Sequence, residues 1–187
     1  MDKPNKHKKP VQRAQKASAQ KINPNRLKNK ATHYLGRYAS TEHKLTQILL
    51  KFAQRKWPEI TQEEALIHIV DTVKWCREYG FVNDADYLQM KLRSGRQKGQ
   101  SALQIKQKLF QAGLTQEMVA TAFMGNENIK EEELQAAFTL ARKKRIGPFS
   151  ASKITEPAEK TKQMARLARA GFSYDICKKI FDYLDES

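Results

Sequence analysis

The feature that most constrains the fold is a sequence pattern that begins at residue 112 and again at residue 170. Residues 112–123 read AGLTQEMVATAF, and residues 170–181 read AGFSYDICKKIF. Both copies place a small residue before Gly, then a large apolar residue, a hydroxyl and, two positions later, an acid. Glycine readily adopts the left-handed conformation that ends a helix. The hydroxyl suits the N-cap of a following helix, and the acid suits that helix's positive end.

Each copy of this pattern therefore predicts a tight corner between two helices. The predicted corner residues are Gly113 and Thr115 in the first copy, and Gly171 and Ser173 in the second. A weaker match precedes them, because ITQE at residues 60–63 resembles LTQE at residues 114–117. The corner is thus expected three times along the chain, which predicts an internal repeat.

The spacing of apolar residues is helical throughout, and the 187 residues include only 8 Gly and 6 Pro. This pattern favours long helices over strands joined by many tight turns. We predict an all-α protein of three tandem three-helix repeats, at residues 27–81, 82–127 and 128–187. Such units cannot each bury a full core, so they are expected to stack as an elongated, curved helical array.

Helix ends follow from residue types that cap helices. Ser40, Thr61 and Asn83 are predicted N-caps, and Thr155 with Pro157 is predicted to open a helix near residue 157. The stretch RSGRQKG, residues 93–99, has neither the preceding strand nor the Gly-Lys-Ser/Thr ending of a nucleotide-binding loop. It is interpreted as a turn that ends one helix and presents basic side chains.

The N-terminal stretch differs from the rest in composition. Residues 1–26 contain eight Lys or Arg, one acid and three Pro, with almost no large apolar side chain. Such a segment cannot offset its own ordering entropy, so it is predicted to be a disordered basic arm. Its role is open between electrostatic capture of nucleic acid or an acidic partner and simple solubilisation.

The net charge of +15 indicates a polyanionic partner or an acidic protein surface. Residues 87–116, 134–155 and 160–174 contain no acid, and their basic side chains are expected to form one positive face. For any single Lys in such a stretch, a solvated helix face is the more common explanation. The predicted partner- or DNA-binding residues are Arg93, Arg96, Lys98, Lys106, Arg142, Lys143, Lys144, Arg145, Arg166 and Arg169.

Other functional classes lack a pattern to support them. No catalytic constellation, metal-ligand spacing or cofactor motif is visible, so neither an enzyme nor a small-molecule substrate is expected. Glu131, Glu132 and Glu133 are explained by their place at a helix start. Cys76 and Cys177 are interpreted as small buried apolar residues in a reducing, cytoplasmic protein. No apolar run could span a membrane.

The aromatic residues of the first unit allow two interpretations. Trp57, Trp75, Tyr79 and Phe81 are predicted to pack within that unit. Stacking on nucleic-acid bases is the alternative.

Two longer stretches carry a resemblance to a known family. Residues 81–114 combine Asp-x-x-Tyr, a basic helix, a Gly, Ile-x-x-x-Leu and a Gly followed by an apolar residue. Residues 164–181 contain Gly-Phe-Ser-Tyr before the last helix. On these motifs the chain resembles the bacterial RecX regulatory proteins, over about residues 27–185. The matching positions are Asp84, Tyr87, Arg93, Gly99, Ile105, Leu109, Gly113, Gly171, Phe172, Ser173 and Tyr174.

The resemblance implies a fold of tandem three-helix repeats and a function without catalysis. It implies a protein that binds the filament of RecA recombinase on single-stranded DNA, lies in the filament's groove and inhibits its growth. Loss of ATP hydrolysis and of strand exchange would follow. The charge alone supports a second hypothesis, direct binding of single- or double-stranded DNA through the basic face.

Overall fold

The structure is a computed structural model that describes residues 21–125, 128–151 and 156–183. All regular structure in these residues is helical, which confirms the all-α prediction. A short 3-10 turn, Gly147–Phe149, follows the seventh helix. The α-helices in chain order are α1 (Pro24–Leu35), α2 (Glu42–Lys56), α3 (Gln62–Glu78), α4 (Asp84–Gln97), α5 (Ala102–Gln111), α6 (Gln116–Met124), α7 (Ile129–Lys144), α8 (Pro157–Arg169) and α9 (Tyr174–Asp182).

The buried apolar side chains form three clusters along the chain. The first spans residues 22–82, the second residues 87–123 and the third residues 136–181. Each cluster is built mainly from three successive helices: α1–α3, α4–α6 and α7–α9. The chain therefore packs as successive groups of three helices. The number of repeats, their boundaries and the curvature of the array stay predictions.

The corners predicted at Gly113 and Gly171 are present with the expected geometry. Gly113 has φ +85° and Gly171 has φ +88°. The hydroxyls of Thr115 and Ser173 accept hydrogen bonds from backbone N–H groups in the first turns of α6 and α9. The apolar residue after each Gly is 4% exposed and its N–H bonds back to the preceding helix. The corner residues therefore have the roles that the sequence predicts.

The same corners also contact the preceding group of helices. The Thr41 hydroxyl caps α2 and donates to the carbonyl oxygen of Ala112 at 2.5 Å. The Ser101 hydroxyl caps α5 and donates to the carbonyl oxygen of Ala170 at 2.6 Å. Ala112 and Ala170 directly precede the two corner glycines. One hydroxyl thus caps a helix and binds the end of a later one.

A carboxylate completes each of these two junctions. The Glu42 N–H donates to Oδ1 of Asp84 on α4 at 2.9 Å, and the Ala102 N–H donates to Oε2 of Glu133 on α7 at 2.9 Å. Glu42 and Ala102 are the residues directly after the hydroxyl caps. The two junctions therefore use the same parts in the same order.

The structure corrects several helix boundaries. Thr41, not Ser40, caps α2, because the Thr41 hydroxyl accepts the Lys44 N–H while the Ser40 hydroxyl donates to the Thr41 carbonyl oxygen. Helix α1 starts at Pro24 and Ile22 is 7% exposed in the first cluster, so the predicted arm ends too late. Residues 1–20 of that arm lie outside the described residues, as does Thr155. Glu156 occupies the cap position of α8 and makes no side-chain cap hydrogen bond.

The predicted turn at residues 93–99 is wrong for most of its length, because α4 continues to Gln97. Gly95 lies inside the helix, where a Cβ atom would stand 2.7 Å from Cγ1 of Ile105. Its missing side chain allows α4 and α5 to approach closely. Gly99, at φ +75°, ends the helix instead.

Candidate partner-binding surface

Most of the predicted basic residues are exposed. Arg93 on α4 lies beside a cleft of about 810 Å³ between α4 and α7, which also contains Glu131 and Glu132. The charge around Arg93 is therefore mixed. The exposed members of the predicted set are Arg93, Lys98, Arg142, Lys143, Lys144, Arg145, Arg166 and Arg169.

Arg96 points into the protein. Its side chain is 12% exposed and its guanidinium forms an ion pair with Glu133, whose side chain is 16% exposed. Nε of Arg96 lies 3.8 Å from Glu132. Glu133 does more than face the helix dipole, because it also accepts the Ala102 N–H. Arg96 and Glu133 therefore form part of the contact between the second and third groups of helices.

Lys106 is half-buried, and its charge is directed onto an aromatic ring. Its Nζ lies 4.6 Å from the centroid of Phe123 at the end of α6. A cation over a ring face is stabilised by the ring quadrupole. Lys106 is thus partly engaged within its own group of helices.

A compact group of cations lies at the C-terminal end of α7. Residues 142–145 are all basic and exposed. Arg166 on α8 donates from Nη2 to the carbonyl oxygen of Lys144 at 3.3 Å, which brings a fifth cation to this end. Basic side chains also suit a helix C-terminus electrostatically. We call these five residues, 142–145 with Arg166, the α7 basic end.

The aromatic residues of the first group of helices differ from the prediction in part. Trp57 is buried, whereas Tyr79 is 68% exposed and Phe81 is 47% exposed. Both rings lie beside half-buried Trp75, at centroid distances of 5.2 Å and 5.4 Å. Their exposure arises because Gly80 turns the chain at the end of α3.

Residues 21–125, 128–151 and 156–183 hold no group of three or more His, Cys, Asp or Glu side chains that could bind a metal ion. Within the same ranges no helix is long and apolar enough to cross a membrane. Cys76 and Cys177 are buried, as predicted, and burial raises the pKa of both thiols.

Comparison with known proteins identifies the family. The chain is 39% identical over 165 residues to regulatory protein RecX of Myxococcus xanthus, covering 87% of each chain. The chain belongs to the RecX family of regulatory proteins. A second RecX, from Agrobacterium fabrum, is 32% identical over 159 residues, which is 82% of this chain and 80% of the relative.

The fold comparison agrees with this membership. The crystal structure of RecX from Lactobacillus salivarius superposes with a TM-score of 0.64 at 20% identity, covering 88% of this chain and 97% of that one. This likeness concerns the fold alone. No family model matches the chain.

In this RecX family protein, Arg145 occupies a backbone conformation that glycine adopts more easily. Arg145 has φ +54°, whereas α3, α4, α5 and α8 are each followed by a glycine at positive φ. The N–H of the next residue, Ile146, closes the same type of helix-end bond, to Ala141 at 2.9 Å. A non-glycine residue is strained there by about 1–2 kcal/mol.

Arg145→Gly is therefore expected to raise the free energy of unfolding by about 1 kcal/mol, since it removes this strain. Urea denaturation would measure it as a higher midpoint at an unchanged slope. Arg145→Ala removes the same charge and keeps the strain, so its free energy of unfolding should be close to that of the parent protein. Equal gains from Gly and Ala would mean that relief of charge repulsion, not backbone strain, is responsible.

Proposed function

We propose that this protein regulates the RecA recombinase by binding the RecA–single-stranded DNA filament. Binding inhibits filament extension, ATP hydrolysis and strand exchange. The observation that carries the proposal is membership of the RecX family over 87% of the chain. In this proposal the protein acts without catalysis, cofactor or small-molecule substrate. It works in the cytoplasm, where the filament forms.

The distribution of charge supports this function. A RecA–DNA filament presents DNA phosphates, and eight of the ten predicted binding residues are exposed cations. The α7 basic end places five of the described cations close together without a carboxylate among them. Arg96 is left out of the proposed binding surface, because its guanidinium is already paired with Glu133.

The second candidate function is direct nucleic-acid binding through the same basic residues. The net charge of +15 favours it. Counterion release would then make binding strongly salt-dependent and largely independent of RecA. The two candidates differ in whether the filament is bound better than naked DNA.

The experiment that separates them is a titration of RecA ATP hydrolysis on single-stranded DNA at near-physiological salt. Binding of the protein to the same DNA without RecA is measured in parallel. Filament recognition is supported if half-inhibition occurs at least about tenfold below the Kd for naked DNA, a difference of about 1.4 kcal/mol. Inhibition only when the DNA is saturated, or no inhibition, would reject it.

A double substitution tests the α7 basic end in the same assay. Lys143→Gln with Lys144→Gln should raise the concentration for half-inhibition roughly five- to tenfold, because two exposed charges no longer attract the filament. The control, Lys51→Gln with Lys56→Gln, removes the same charge from exposed positions on α2. It should change the concentration for half-inhibition by less than about twofold. Equal effects of the two double variants would show that only net charge matters.

A further inference from the structure

A small cleft between α4 and α5 is lined by three lysines. Its volume is about 90 Å³. Lys91 belongs to α4, Lys98 is the C-cap of α4, and Lys108 belongs to α5. Ser94 and Gln100 add a hydroxyl and an amide to the lining. We call this site the lysine cleft. Of its three lysines, only Lys98 belongs to the binding residues predicted from sequence.

The cleft arises from the close packing of two helices. Gly95 faces Ile105 with no side chain between them, and both residues line the cleft floor. This close approach places lysines from two helices in the lining of one cleft. A side chain at Gly95 would overlap Ile105, so the Ile105 side chain or the helices would have to shift.

The charges of the cleft are not neutralised within the described part of the chain. No carboxylate there lies within ion-pair distance of Lys91, Lys98 or Lys108. Ser94 Oγ and the Gln100 side chain form no hydrogen bond with a described residue, so both are available as donors. Like charges held together without an acid repel one another. The site is therefore rich in donors and lacks a counter-charge.

Tyr87 connects one lysine of the cleft with the neighbouring group of helices. Lys91 lies over the ring of Tyr87, with its Nζ 5.1 Å from the centroid. Lys44 on α2 lies over the same ring at 5.6 Å and donates to the Tyr87 hydroxyl at 3.3 Å. Tyr87 thus holds one lysine of the cleft and one lysine of α2 close together.

We propose that the lysine cleft binds a phosphate group of the single-stranded nucleic-acid backbone. The cleft is lined by three lysines, a serine and a glutamine, and the N–H and O–H groups of such side chains donate charge-assisted hydrogen bonds to phosphate oxygens. The cleft is too small for a nucleobase stacked on an aromatic ring, and Tyr87 has lysines over its ring. Sequence-independent binding of the backbone follows. The proposal rests on the proposed function only in that the filament's DNA is the source of the phosphate.

The test uses the full chain and a fluorescently labelled oligothymidylate, without RecA, over a range of salt concentrations. The triple variant Lys91→Gln, Lys98→Gln, Lys108→Gln is compared with Lys51→Gln, Lys56→Gln, Lys130→Gln, which removes the same charge from exposed positions on α2 and α7. The cleft variant should bind at least about tenfold more weakly at low salt. Its log–log salt slope should be shallower by about 0.7 for each phosphate that the variant no longer neutralises.

Two results would overturn the proposal. The first is an equal loss of affinity in both triple variants, which would mean that charge acts without a site. The second is unchanged DNA affinity in the cleft variant together with abolished binding of inorganic phosphate or ATP, which would mean that the cleft takes free phosphates. Circular dichroism of both variants excludes unfolding as the cause.

Inhibition of RecA is measured separately on the same three proteins. If the parent protein does not inhibit RecA, the proposed function fails while the DNA measurement still decides the cleft. If the cleft variant loses inhibition but keeps its DNA affinity, the cleft assignment fails and the regulatory function stands.

Discussion

Gly171→Val is expected to lower the free energy of unfolding by about 3 kcal/mol, because two effects add. Valine is strained at φ +88°. Its Cβ would also stand 2.7 Å from the Ser101 hydroxyl oxygen and 3.2 Å from Cβ of Leu103, so packing between the second and third groups of helices must shift. Chemical denaturation followed by circular dichroism measures the loss.

The chain offers a matched control at the end of α3. Gly80 has φ +71°, and a Cβ added there would meet no atom within 4 Å. Gly80→Val should therefore show the backbone strain alone, about 1–2 kcal/mol. The difference between the two variants measures the clash at the junction. Equal losses would mean that the corner glycine matters only for its conformation and not for the contact with Ser101.

Gly113→Val should destabilise the first junction in the same way. A Cβ on Gly113 would overlap the His43 ring, just as a Cβ on Gly171 would come too close to Leu103. His43 and Leu103 each stand two residues after a junction hydroxyl, Thr41 or Ser101. The glycine that ends one helix therefore also makes room for the preceding group of helices. The glycine of the repeated sequence pattern thus both ends a helix and leaves space for the contact with the preceding group.

The outer ends of the array lack these junction parts. Helix α2 ends at Lys56 and is followed by Trp57 and Pro58, not by Ala-Gly. Helix α8 begins after Glu156, which makes no side-chain cap hydrogen bond. The end of α2 therefore lacks the glycine, and the start of α8 lacks the capping hydroxyl, that form the contacts between neighbouring groups of helices.

The corners could be predicted because their chemistry is local. Glycine, apolar residue, hydroxyl and acid act within about six residues, and each has one dominant role at a helix end. The choice between Ser40 and Thr41 could not be predicted in this way. Either hydroxyl is of a type that caps helices, and the Thr41 hydroxyl, which caps α2, also donates to Ala112, 71 residues further along the chain.

The candidate surface was less predictable, because exposure depends on distant partners. Arg93 and Arg96 belong to the same acid-free stretch, yet one is exposed and the other is paired with Glu133, 37 residues away. Lys91 and Lys108 had the charge but no pattern that distinguished them from a solvated helix face. Their significance comes from the close packing at Gly95, which brings two helices together.

Glu133→Ala is expected to lower the free energy of unfolding by about 2–3 kcal/mol, less than for breaking a fully buried ion pair, because the pair is part-buried and Glu132 stays near Arg96. It leaves the Arg96 guanidinium, 12% exposed, without its main counter-charge, and it removes the acceptor of the Ala102 N–H. Glu131→Ala, at an exposed position in the first turn of α7, should lose less than about 1 kcal/mol. Urea denaturation of both variants gives the comparison.

A double variant identifies the cause of that loss. Arg96→Met with Glu133→Leu removes both charges and keeps apolar volume, so it should recover most of the stability lost in Glu133→Ala. The recovery should be incomplete, because the Ala102 N–H still lacks its carboxylate. If the double variant is as unstable as Glu133→Ala, the carboxylate contact at the α5 N-terminus dominates. If Glu133→Ala itself is nearly neutral, water reaches Arg96 and the junction does not depend on the ion pair.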